Sequence, residues 1–233
     1  MRYLFHGICL QNRRPSNMDS LLLKSGTIRD RSALLAVVCD GVGSMADGAF
    51  ASGEAVRMLN DWFDKADSVD RAGLAMRDAA LGINSAIIRQ AKSHSMDTAT
   101  TLSALLLIDD HYYITHIGDS RIYCFDSEST VNFAGGQALS VLTNDDVSES
   151  GQLTACIGQT EDVFPQCAEG KAGGKTFVLC SDGLYKRMDA SLMMSVVSNW
   201  DRRALKEPLE ALTRFVIERG EPDNITVAFV KIE

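Results

Sequence analysis

The sequence predicts an α+β fold in which two largely antiparallel sheets pack together and helices cover them from outside. The two clearest helical patterns, residues 48–65 and 70–92, follow one another directly. Strand-length apolar runs outnumber the helical patterns and are found at 3–10, 33–39, 102–108, 111–117, 121–125, 137–142, 176–180 and 225–232. This order lacks the strict alternation of strand and helix that a doubly wound parallel sheet requires.

Each helical pattern has its own support. Within 70–92 the apolar side chains recur at spacings of three and four residues, at Ala80, Ile83, Ile87 and Ala91. Two more helices are predicted in residues 189–200 and 203–220, and the second ends at a glycine before the turn "EPDN". The strand 225–232 then follows.

Length and composition predict one domain over residues 1–233. No proline-rich, serine-rich or single-sign stretch divides the chain, and 233 residues are enough to bury one sizeable core. The formal net charge of −8, without a local Lys/Arg cluster, argues against a nucleic-acid partner. No apolar stretch approaches the roughly 20 residues that span a bilayer, and the first residues lack a signal-peptide pattern. We therefore expect no membrane association and a cytoplasmic protein.

Four aspartates stand at predicted strand ends. Asp40, Asp119 and Asp182 each follow an apolar strand and have a glycine neighbour, and Asp223 lies just before the last strand. Any one of them has an ordinary explanation as a turn or capping residue. Four gathered carboxylates would repel one another unless divalent cations compensate their charge. Oxygen ligands favour Mg²⁺ or Mn²⁺, and the six cysteines and four histidines show no zinc-ligand spacing.

These residues indicate hydrolysis of a phosphate ester. Two hard cations about 3.5 to 4 Å apart can supply a bridging hydroxide for in-line attack on phosphorus. Gly41, next to Asp40, would let a backbone carbonyl approach a metal. Arg14 offers a guanidinium fork that can hold the substrate phosphate.

At these positions the sequence resembles the metal-dependent protein phosphatases of the 2C type, the PPM serine/threonine phosphatases. The family's R-x-x-N-E-D is similar to "RPSNMD", its D-G-M-G-G to "DGVGS", its G-T-T-L to "ATTL" and its G-D-S-R to "GDSR". Further matches are "LTACIG", "LCSDGL" and "DNITV". The matches run in order along nearly the whole chain, so they are specific as a set.

The resemblance implies an α-β-β-α four-layer sandwich with two central, mostly antiparallel sheets flanked by helices. It implies an enzyme that hydrolyses phosphoserine and phosphothreonine esters by a metal-activated water. The cofactors would be two Mn²⁺ or Mg²⁺ ions, with a third, weaker ion in some members. The partner would be a phosphorylated protein, the substrate of a serine/threonine kinase, and Arg14 would grip its phosphate.

The resemblance also assigns the metal ligands. Asp40 would bridge the two metals, and the carbonyl of Gly41 would bind one of them. Asp182 and Asp223 would hold the other metal. Asp119 together with Asp182 would form the weaker third site.

Three departures from the family pattern bear on function. Met18 stands where the family usually has an acidic or amide residue, and a thioether is a poor ligand for Mg²⁺ or Mn²⁺. Val42 replaces a histidine that acts as general acid in some members, so we expect the leaving group to be protonated through water. Only "NDDVSESGQ" stands where many members carry a longer flap, which is typical of a short-flap, prokaryotic-style member with a more open cleft.

Met18 leaves several interpretations open. Either Asp19, near the metals without binding them directly, and water compensate, or the second metal binds weakly, or the protein is a catalytically impaired relative. Asp19 as a turn or capping residue also stays open. The impaired alternative is a regulatory or phosphoprotein-binding module. A phosphatase for small phosphorylated molecules would need the same metals.

Overall fold

The structure is a computed structural model, and it describes residues 1–45, 47–126, 138–198, 200 and 204–232. Ten strands are found in these residues. They are β1 (Tyr3–Leu10), β2 (Ser20–Ile28), β3 (Arg31–Cys39), β4 (Leu102–Ile108), β5 (His111–Ile117), β6 (Arg121–Asp126), β7 (Ala138–Val141), β8 (Gln166–Lys171), β9 (Lys175–Cys180) and β10 (Ile225–Ile232).

Five helices accompany the strands in the described part of the chain. They are α1 (Gly48–Lys65), α2 (Ala72–His94), α3 (Asp182–Tyr185), α4 (Ala190–Ser198) and α5 (Glu207–Glu218). None of the helices in the described ranges is both long enough and apolar enough to cross a membrane.

The strands form two five-stranded sheets in which every pair of neighbours is antiparallel. The order is β1-β10-β9-β6-β7 in the first sheet and β2-β3-β4-β5-β8 in the second. Helices α1 and α2 cover the second sheet, and α4 and α5 cover the first. The predicted four-layer α-β-β-α sandwich is confirmed.

Strand β3 shows why the sheets hold a rigid site. Alternate side chains point to opposite faces of a strand. Leu34, Ala36 and Val38 pack into the core between the sheets, while Leu35 and Val37 pack under the helices α1 and α2. Because both faces of β3 are buried from residue 33 onward, residues 33–39 are a continuous apolar run, and the residue that follows them is held firmly in place.

The helical layers are attached by different side chains. Small residues of α1 and α2, such as Ala51, Ala55 and Ala80, are buried against the second sheet. On the other side Trp200 packs edge-on against Phe229 of β10, with ring centroids 5.4 Å apart. These contacts close the sandwich on both outer faces.

The sequence analysis missed the strands β2 and β8 and the short helix α3. Both strands lie at the edges of the second sheet. The residues of β8 alternate between exposed and half-buried, and β2 is half-buried or exposed along most of its length, so neither reads as an apolar run. Parts of the predicted helices and strands, at residues 137, 199 and 203, lie outside the described residues.

Candidate active site

The four strand-end aspartates meet in one cavity of about 970 Å³. Asp40 directly follows β3, and Asp119 lies two residues after β5. Asp182 begins α3 just after β9, and Asp223 lies two residues before β10. The cavity is also lined by Arg14. Residues from both sheets therefore converge at one end of the sandwich.

Asp40 is held by its backbone. Its N–H donates to Thr101 Oγ1 at 2.9 Å, and its carbonyl accepts from the Thr101 N–H at 2.8 Å and from Thr100 Oγ1 at 2.9 Å. Thr101 Oγ1 lies 2.8 Å from Ser120 Oγ. The "ATTL" and "GDSR" segments thus fix the backbone of Asp40 and leave its carboxyl group facing the cavity.

Gly41 lies where two other backbone segments come very close. A β-carbon at this position would stand 2.6 Å from the carbonyl oxygens of both Met18 and Gly48. The Gly41 N–H donates to the Met18 carbonyl at 3.1 Å. Only glycine fits this approach, which brings the backbone of Gly41 to the wall of the cavity.

Asp19 is buried beneath the cavity, at 7% exposure. Its Oδ2 atom accepts hydrogen bonds from Ser181 Oγ at 2.8 Å and Thr226 Oγ1 at 2.6 Å. Burial raises the pKa of Asp19 to about 6, against the effect of these two hydroxyl groups, and the charge of Asp182 adds to the rise. The turn or capping role is not what this geometry shows, because the carboxyl group joins two distant segments.

Arg14 and Asp223 form a bidentate ion pair at the edge of the cavity. Arg14 Nε lies 2.7 Å from Asp223 Oδ1, and Nη2 lies 2.6 Å from Oδ2. Burial alone would raise the pKa of Asp223, but the hydrogen bonds from Arg14 and from the Asn224 N–H lower it below its ordinary value. The Arg14 side chain is still 46% exposed, so its guanidinium group remains within reach of a ligand.

Asp182 has a cationic partner that sequence reasoning missed. Lys186 Nζ donates to Asp182 Oδ2, and the two residues are four apart in sequence, as in an ion pair on one helical turn. Lys186 also lines the cavity. The spacing in "SDGLYK" was the available signal, since a lysine four residues after an aspartate at a helix start faces back toward it.

The backbone of Asp119 is held in place by Tyr185. Tyr185 Oη donates to the Asp119 carbonyl at 3.0 Å, and the Arg121 guanidinium stacks 3.8 Å from the centre of the Tyr185 ring. Arg121 is itself held by two hydrogen bonds to Asp145, of 3.0 and 2.7 Å. Burial raises the pKa of Asp119 to about 6, and the nearby Asp182 adds to the rise.

The carboxyl group of Asp40 is at the centre of this negative charge. Burial, and then repulsion from Asp19, Asp182, Asp119 and Asp223, raise its pKa well above the ordinary value. Hard carboxylate and carbonyl oxygens are the donors that Mg²⁺ and Mn²⁺ prefer, and such cations would remove the repulsion. The donor set therefore fits divalent cations.

Ion pairs engage part of the predicted ligand set. Among the residues that the structure describes, no three Asp, Glu, His or Cys side chains already converge as metal ligands. Two of the carboxylates are instead engaged by the cationic groups of Arg14 and Lys186. Of these two ion pairs, the one between Arg14 and Asp223 is the contact that would rearrange on metal binding.

The two apolar departures, Met18 and Val42, both line the cavity. The Met18 carbonyl accepts from Ser52 Oγ at 2.6 Å, which fixes its backbone beside Gly41. The Val42 N–H donates to the Ala99 carbonyl at 2.9 Å. Neither side chain supplies an acid or a hard ligand to this wall.

The short segment 144–152 forms another wall. It folds back on itself, with the Ser148 N–H donating to the Gln152 carbonyl at 2.8 Å and a bridge between Val147 and Leu153. Gly151, Gln152 and Leu153 line the cavity. The segment therefore borders the cavity despite its length, and the expected openness of the cleft stays a prediction.

Known protein phosphatases are similar to this chain in sequence. A sequence model of the family described as protein phosphatase 2C matches residues 16–222. Protein phosphatase PhpP of Streptococcus pneumoniae is 31% identical over 144 residues, 57% of this chain and 58% of PhpP, so the match spans less than two thirds of that relative. Serine/threonine phosphatase stp of Listeria welshimeri is 25% identical over 217 residues, 84% of each chain.

A solved structure shares the fold. It is described as the catalytic domain of the serine threonine protein phosphatase PstP in complex with 2 manganese ions. It superposes with a TM-score of 0.79 at 23% identity, covering 98% of this chain and 97% of that one. Because the family model spans most of the sequence and its motifs line one cavity, the chain belongs to the protein phosphatase 2C family, as the resemblance indicated.

Proposed function

We propose that this chain is a serine/threonine protein phosphatase that hydrolyses phosphoserine and phosphothreonine esters with water activated by two Mn²⁺ or Mg²⁺ ions. The observation that carries the proposal is the convergence of four aspartates and Arg14 in one cavity. The names of the relatives PhpP and stp support the activity. The two manganese ions in the PstP structure support the cofactors.

Four residues would hold the two cations. Asp40 would hold both ions, and the Gly41 carbonyl would hold one of them. Asp182 and Asp223 would hold the other. When bound, such a pair lowers the pKa of a shared water and stabilises the charge that develops on the phosphoryl group.

Arg14 positions the substrate phosphate. Its planar fork donates two parallel hydrogen bonds, the geometry that a phosphate group accepts. In the structure Asp223 occupies this fork. The Arg14 side chain is 46% exposed, so its guanidinium group would be able to turn from Asp223 to the phosphate.

The leaving alcohol receives its proton from solvent. Val42 lines the cavity and cannot transfer a proton. Arg14 and Lys186 have side chains that are 46% and 55% exposed, so water reaches the edge of the site. The proposed substrate is a cytoplasmic protein that a serine/threonine kinase has phosphorylated. One domain over residues 1–233 would hydrolyse its phosphate ester.

Met18 supports a second candidate function, a regulatory or phosphoprotein-binding module of the same fold. Met18 lines the cavity and has a thioether where the family usually has an acidic or amide residue. Weak binding of the second ion would leave phosphate recognition by Arg14 intact and remove efficient turnover.

The deciding experiment measures Mn²⁺-dependent phosphate release from a phosphothreonine peptide. The variants are Asp40→Asn and a matched surface control, Asp78→Asn, whose side chain is 63% exposed. We expect release by the wild-type protein and the control, and a loss of at least about 1,000-fold in Asp40→Asn. Full activity of folded Asp40→Asn would refute the two-metal mechanism. No release from folded wild-type protein at any Mn²⁺ concentration would favour the binding module.

A further inference from the structure

Lys186 places an ammonium group on Asp182, one of the two residues that the resemblance assigned to a third metal ion. The predicted ligands of that ion are Asp119 and Asp182. Lys186 Nζ donates to Asp182 Oδ2, and its side chain lines the same cavity. The Lys186 backbone N–H also donates to the Asp182 carbonyl at 3.1 Å, so the helical turn fixes the side chain's origin.

The same turn is fastened beside Asp119. Tyr185, the residue before Lys186, donates its hydroxyl hydrogen to the Asp119 carbonyl at 3.0 Å. Arg121 stacks on the Tyr185 ring and holds it there. The turn that carries Lys186 thus contacts both predicted ligands, Asp182 through the ammonium group and Asp119 through Tyr185.

We propose that Lys186 takes the place of the third cation, so that this chain binds two divalent ions and not three. An ammonium group has three donors and no acceptor, so it cannot serve as a metal ligand. A divalent ion on the same side of Asp182 would compete with it for an oxygen and be repelled by it. The inference deepens the proposed function and rests on it, because Asp182 is also a proposed ligand of the main pair.

A tethered charge differs from a dissociable ion in one measurable respect. The charge of Lys186 is present at every metal concentration, since it belongs to the chain. The number of bound ions should therefore reach two and remain there at high metal concentration. Removing the ammonium group and adding a carboxylate at residue 186 should create a third, weaker site.

The test counts bound Mn²⁺ through the electron paramagnetic resonance signal of the free ion, a measurement independent of turnover. The variant is Lys186→Asp. The matched control is Lys206→Asp, because Lys206 makes the same four-residue ion pair, with Glu210 at 3.0 Å, on α5. We expect two ions in the wild-type protein, three in Lys186→Asp and two in the control, with folding checked by circular dichroism.

A second variant allows the inference to be tested even if Lys186→Asp does not fold. Asp119→Asn should leave the count of Mn²⁺ at two, because Asp119 binds no metal in this chain. A wild-type count of three that falls to two in Asp119→Asn overturns the inference, and so does a count of two in folded Lys186→Asp. In both of these cases the proposed two-metal function survives. A wild-type protein that binds no Mn²⁺ overturns the proposed function and this inference together.

Discussion

Replacing Asp19 by asparagine is expected to stabilise the metal-free protein at neutral pH. The Asp19 carboxyl group is 7% exposed, and burial, with repulsion from Asp182 and Asp223, raises its pKa from 3.8 to about 6. Asparagine has the same shape without the charge. Its carbonyl oxygen can accept the hydrogen bonds that Ser181 and Thr226 donate to Oδ2.

The magnitude follows from the pKa difference between the folded and unfolded chains. A rise of about 2 pKa units corresponds to about 3 kcal/mol at neutral pH. The folded state binds the proton more tightly, so the contribution of Asp19 to stability is greatest below pH 4. It is lost as the pH rises through about 6. Because 1 kcal/mol shifts the Tm of a chain of this length by about 2 to 4 °C, Asp19→Asn should raise Tm by about 6 to 12 °C.

The assay is thermal unfolding in EDTA between pH 4.5 and 7.5. The wild-type protein should lose stability relative to Asp19→Asn as the pH rises, and the two should converge toward pH 4.5. Asp78→Asn is the surface control and should follow the wild-type curve. An Asp19→Asn protein that is less stable than wild type at pH 7.5, or that keeps the same pH slope relative to the control, would refute the reasoning.

Excess Mn²⁺ should reduce or reverse the difference in stability between Asp19→Asn and the wild-type protein. A ligand at 100 times its Kd stabilises the folded state by about 2.7 kcal/mol. The wild-type protein should gain this stabilisation, because bound cations offset the repulsion that Asp19 shares with Asp182. Asp19→Asn should gain less, since one carboxylate is missing beneath the metal ligands. An equal gain in both proteins would mean that Asp19 has no part in metal binding.

Three further predictions concern the walls of the cavity. Arg14→Lys should lower kcat/KM for a phosphothreonine peptide by about 10- to 100-fold. An ammonium group cannot offer a phosphate the two parallel hydrogen bonds that the Arg14 guanidinium group makes with Asp223 in the structure. An unchanged kcat/KM would mean that Arg14 does not bind the phosphate. Gly41→Ala should lower the free energy of unfolding, measured in urea, by about 3 kcal/mol or more, because its β-carbon would lie 2.6 Å from two carbonyl oxygens. Gly53→Ala, in an open helical position, should instead stabilise the protein by about 1 kcal/mol. Similar effects at the two glycines would contradict the packing argument. Met18→Glu should tighten Mn²⁺ binding by about 10-fold in an equilibrium titration; little accompanying change in phosphate release would mean that the wild-type site already works.

The parts of the fold that could be predicted are those buried on both faces. Most residues of β3 and β4 are apolar because helices cover one face and the other sheet covers the opposite face. The edge strands β2 and β8 have neighbours on one side only, and partial exposure allows polar residues in them. A pattern of apolar residues therefore finds the centre of each sheet more readily than its edges.

The candidate site, like the fold, could be predicted from the sequence only in part. Strand ends located its four aspartates, because each end is marked by the loss of apolar residues and by a turn. The contacts that determine the charge states of these residues could not be predicted from a local sequence pattern. Asp19 meets Ser181 and Thr226 across 162 and 207 positions of the chain, and Arg14 meets Asp223 across 209. Only the folded arrangement of two sheets brings these groups together.

The same rigidity accounts for the site's chemistry. A flexible loop would let like charges separate, but Asp40 follows a strand that is buried on both faces and its backbone is bonded to Thr100 and Thr101. The carboxylates must therefore remain close, and the cost of their charges is reduced by protonation or by cations. Arg14 and Lys186 supply part of that positive charge from the chain itself. The remaining negative charge around Asp40 favours divalent cations in the cavity.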